Sequence, residues 1–66
     1  IVLWVSLYIV TAGGNPGRTA LPWEPSDTFY SIEACKAAGH HFERYIWENT
    51  SSYGAKTVCL PAGVRP

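Results

Sequence analysis

The chain has 66 residues, 47% of them apolar and 15% charged, with five acidic and five basic side chains and no net charge. That length holds one domain, residues 1–66, and the apolar content excludes an intrinsically disordered chain. No stretch concentrates positive charge, so nucleic acid, which needs a basic patch to meet its phosphates, is not among the expected partners.

A chain this short buries only about 60% of the surface it exposes when unfolded. Chains of this size usually rely on a disulfide, a metal or an oligomeric partner. Nine residues are Phe, Trp or Tyr, more than one helix and a few strands can hide, so some rings should lie at the surface.

Residues 1–10 alternate strictly. Ile1, Leu3, Val5, Leu7 and Ile9 fall on one face; Val2, Trp4, Ser6, Tyr8 and Val10 fall on the other. A period of two with β-branched and aromatic residues predicts a strand. The first face is aliphatic and suits a core beneath a helix. The second is nearly as apolar, whereas a solvated sheet face is normally polar. A second reading makes residues 1–10 part of an apolar targeting or anchor segment of a secreted or membrane-associated protein. Ten residues are too few to cross about 30 Å of hydrocarbon as a helix, and no basic segment precedes them. The chain begins at Ile1 and contains no methionine, as expected of a processed product or a part of a longer one.

Thr11–Gly17 (TAGGNPG) predicts a turn. Residues 18–22 can return as a second strand, an edge strand because of Pro22 and Pro25. Residues 22–27, which carry Trp23, read as an irregular loop. The helix follows, with Ser31 as N-cap and Glu33 in its first turn. Ile32, Cys35, Ala38, Gly39, Phe42 and Ile46 form its apolar stripe, and Glu33, Lys36, His40, Glu43 and Trp47 fall on the other side. Asn49–Gly54 ends the helix and turns the chain, and Ala55–Leu60 reads as a last strand stopped by Pro61. The predicted fold is α+β: a three-stranded antiparallel sheet in the order β-β-α-β with one helix on one face.

Cys35 lies on the apolar stripe and Cys59 in the last strand. If the face bearing Cys59 meets the helix, the two thiols come within bonding distance. The bridge would contribute about 3.5 kcal/mol by constraining the unfolded chain and would imply an oxidising compartment, secreted or periplasmic. The alternative is two buried free thiols in a reducing one.

No catalytic residue, cofactor site or metal site emerges. His40 and His41 point about 100° apart on a helix, and neither aligns with Cys35 as zinc ligation would need. A small metal-binding or enzymatic domain built around them is therefore a third reading. Asn49-Thr50-Ser51 matches the N-glycosylation pattern, which matters only in a eukaryotic secretory pathway.

One helix covers one face of the sheet, leaving Val2, Trp4, Tyr8 and Val10 open. With Trp23 they form the expected partner-binding surface, for a protein partner or a second copy. The opposing expectation is that Trp23 and the 22–30 segment fold back over that face.

The apolar first strand, FYSIEACKAAG (Phe29–Gly39) and TVCLP (Thr57–Pro61) resemble small proteins encoded by bacteria and their phages. In these a serine-capped helix carries one cysteine and a terminal V-C-x-P strand the other. The resemblance touches about half the chain and leaves out Pro22–Pro25 and the helix end. It implies the strand–helix–strand order and the cysteine pairing, and a small viral or bacterial accessory protein without an assigned activity.

Overall fold

A computed structural model describes all 66 residues, Ile1–Pro66. Strand β1 (Val2–Val10) is followed by β2 (Pro16–Thr28), helix α1 (Ile32–Asn49) and β3 (Tyr53–Leu60). The sheet is antiparallel in the order β2-β1-β3, so the chain is α+β with the β-β-α-β order its sequence predicts. The apolar first segment is the central strand. It is hydrogen-bonded to a neighbour on each side, and its odd face lies beneath the helix.

β1 and β3 pair without interruption from Val2↔Leu60 to Ile9↔Tyr53. β1 and β2 do not. Between Val2↔Thr28 and Val10↔Pro16, β1 advances eight positions and β2 twelve, and the ladder shifts register four times. Ser6 lies at one shift, where its hydroxyl donates to Leu21 O at 2.9 Å and supplies a bond the bulged backbone does not.

The predicted irregular loop at 22–27 is therefore strand, and β2 outruns the expected 18–22 at both ends. The reason lies in ladder geometry. Val10 N–H donates to Ser52 O, so the even residues of β1 direct their backbone groups toward β3. Pro25 faces Trp4, an even residue, and its nitrogen points away from β1. A proline there removes no ladder bond. β3 also begins earlier than Ala55, at Tyr53.

The helix starts where the sequence places it. Ser31 Oγ accepts from Ala34 N–H at 3.1 Å, and Glu33 occupies the first turn. At the other end Thr50 N–H donates to Ile46 O. Cys35 and Gly39 are the buried positions of the stripe. Ala38, Phe42 and Ile46 are half-buried, and Ile32 is exposed. α1 packs chiefly on β3, less on β1, and hardly reaches β2.

Gly39 fixes the separation of helix and sheet. A Cβ there would lie 2.7 Å from Thr57 Oγ1 and 3.3 Å from Leu3 Cδ1, so only glycine admits this approach. Beside it Cys35 and Cys59 form a disulfide with Cα atoms 6.1 Å apart. Cys59 faces Leu3 across the ladder, and Leu3, Cys35 and Gly39 form the small closed centre of the molecule.

Candidate functional surface

Because Leu3, Thr57 and Cys59 face the helix, the even residues of β1 face away from it. Val2, Trp4, Tyr8 and Val10 therefore share the open side of the sheet. Across the ladder Leu60 faces Val2, Val58 faces Trp4, Lys56 faces Ser6 and Gly54 faces Tyr8. The apolar surface thus extends onto β3 through Val58 and Leu60, both half-buried.

Part of this surface is consumed within the chain. A Cβ on Gly54 would overlap the Tyr8 ring, so the ring lies over the glycine, which is buried. Lys56 Nζ stands 5.5 Å from the centre of the same ring, a cation–π contact worth about 0.5–1 kcal/mol at an exposed site. Ser6, between Trp4 and Tyr8, is buried. Trp4 Nε1 is covered as well and has no acceptor.

Trp23 lies in the irregular stretch of β2, next to Glu24, the partner of Val5, and is 38% exposed. The segment around it stands beside β1 as a third strand.

A second feature lies at the outer edge of β3. Thr57 N–H donates to Glu43 Oε2 at 3.1 Å, and Thr57 Oγ1 donates to the same oxygen at 2.7 Å. The N–H thus points away from β1, and so do those of Ala55 and Cys59, two residues either side. A cleft of about 390 Å³ runs along this edge between Lys36, His40 and Glu43 of the helix and Thr57–Cys59 of the strand. The sequence sets Glu43 on the solvated side of α1. It stands instead on the flank that overlooks the edge, half-buried. The helical period could have placed it there, since residue 43 lies one turn beyond Gly39 and about 40° around the axis.

His40 borders this cleft, and His41 borders a shallow depression with Arg44, Tyr45 and Glu48. Nowhere do three His, Cys, Asp or Glu side chains converge as metal ligands would. Asn49 Nδ2 donates to Tyr45 O, and the Thr50 hydroxyl bonds to Tyr53. No helix is long and apolar enough to cross a membrane. No family model, curated protein or solved structure matches the chain.

Proposed function

We propose that the chain is a non-enzymatic interaction module, an accessory, inhibitor-type or assembly protein of the kind bacteria and their phages encode. It docks onto a protein partner or another copy of itself through the open face of β1. Val2, Trp4, Tyr8 and Val10 supply the anchors, Val58 and Leu60 extend them, and Trp23 stands at the margin.

The observation that carries this reading is how little of the chain is closed off. Its accessible surface is 4729 Å², whereas a folded monomer of 7.3 kDa exposes about 4,200 Å². The excess, about 500 Å², is about two thirds of what one partner contributes to a standard interface, about 800 Å². The disulfide accords with an oxidising compartment and supports placing the module in a secreted or periplasmic setting.

Trp4→Ala and Val58→Asp test the face. Sedimentation across a concentration series reports self-association, and affinity capture from the source cells reports a stoichiometric partner. One of these should be present in the native protein and lost in both variants, while circular dichroism stays native-like. A strict monomer that captures nothing, or binding unchanged in both variants, would end this reading.

A further inference from the structure

We infer that the outer edge of β3, with the flank of α1 above it, is the site at which a second copy of the chain adds its own β3. This site is separate from the open face of β1. It joins two sheets into one of six strands about a two-fold axis through Thr57.

The two edges of the sheet are not equivalent. β2 carries Pro16, Pro22 and Pro25, and edge prolines obstruct the addition of another strand. β3 has no proline and no bulge, and Ala55, Thr57 and Cys59 direct their backbone groups outward. An antiparallel copy centred on Thr57 sets Thr57 against itself and Ala55 against Cys59, forming about six interchain hydrogen bonds. Glu43 now holds the central donor. In the pair, Thr57 N–H passes to the carbonyl of the other copy and the carboxylate is released.

The helix flank supplies the reason for choosing a second copy as occupant. Ile32, Lys36, His40, Glu43 and Trp47 follow one another at helical spacing along the side overlooking β3. Two such flanks, antiparallel about the level of Gly39 and His40, bring Lys36 to Glu43 and Ile32 to Trp47, twice each. The freed carboxylate thus meets an ammonium group. Ile32 and Trp47, 44% and 63% exposed, meet each other. The helix lies chiefly over β3, so this flank stands directly above the edge to be paired.

Sedimentation equilibrium of the oxidised protein tests this. The expected species is twice 7.3 kDa. Lys36→Glu and Glu43→Lys should each sediment as folded monomers, because like charges then face each other. An equimolar mixture of the two should recover the dimer. Trp47→Ala should weaken association at least tenfold. Ala55→Pro, which removes an outward donor but no bond to β1, should abolish it. A native protein that stays monomeric up to millimolar concentration would overturn the inference. So would a dimer indifferent to Lys36→Glu and Ala55→Pro, and if that dimer were lost in Val58→Asp the contact would belong to the open sheet face instead.

Discussion

The two ladders that flank β1 share one strand and the antiparallel sense, and differ in regularity and in what covers them. On the β3 side the register runs without a break, a helix lies above, and a disulfide ties helix to strand. On the β2 side the register shifts four times, prolines recur, and every residue of β2 is exposed. Regularity follows coverage. Where a buried face must be kept in phase, a slip of one residue would turn apolar side chains to solvent. Where nothing lies above, that penalty is absent and bulges accumulate.

The largest test of this contrast is to cut the clasp. Cys35→Ala with Cys59→Ala should lower stability by about 3.5 kcal/mol, read from urea unfolding with native oxidised protein as reference. For a domain with only 5–15 kcal/mol in total that is a large share. A loss below about 1 kcal/mol would mean that the covered ladder stands without its covalent tie.

Gly39→Ala sharpens the comparison, because two effects oppose each other there. Alanine favours the helix by about 1 kcal/mol, yet its methyl group would press on Thr57 and Leu3, and overpacking costs about 1–3 kcal/mol. Net destabilisation of about 1 kcal/mol is expected in the same urea assay. A stabilised variant would mean that the helix can rise from the sheet without loss.

The smallest effect belongs to the uncovered side. Pro25→Ala should change stability by less than about 0.5 kcal/mol, since no ladder bond is gained and nothing packs above. A loss of more than about 1 kcal/mol in thermal unfolding would mean that β2 is held more tightly than its exposure implies.

The fold was legible where one local rule decided the outcome. Alternation fixed β1 and its two faces, Ser31 fixed the helix start, and the stripe carrying Cys35 pointed at the strand carrying Cys59. β2 was legible only in part. Pro22 and Pro25 argue against a strand unless the outward direction of the Pro25 nitrogen is known, and that depends on how β1 pairs with β3. Gly54 read as a turn residue, because nothing local announces that the Tyr8 ring will cover it. Glu43 read as a solvated charge for a similar reason. Its partner is a backbone N–H fourteen residues away, and side-chain patterns do not encode which way a strand's amides face. The open face of β1 was legible as a set of residues. How far its aromatic rings spend themselves on Gly54 and Ser6 was not.

The uneven count between β1 and β2 has a consequence for how such a chain can change in length. Twelve positions run beside eight, which leaves about 13 Å of surplus contour in the hairpin. A residue gained or lost in β2 can be absorbed by moving a bulge, while β3 holds the faces of β1 in place from the other side. A residue gained or lost in β1 or β3 has no such reserve, because it would carry Leu3 or Cys59 out of line with Cys35. Length variation in the lineage of this protein should therefore collect between Thr11 and Thr28 and spare the stretch from the helix to Leu60.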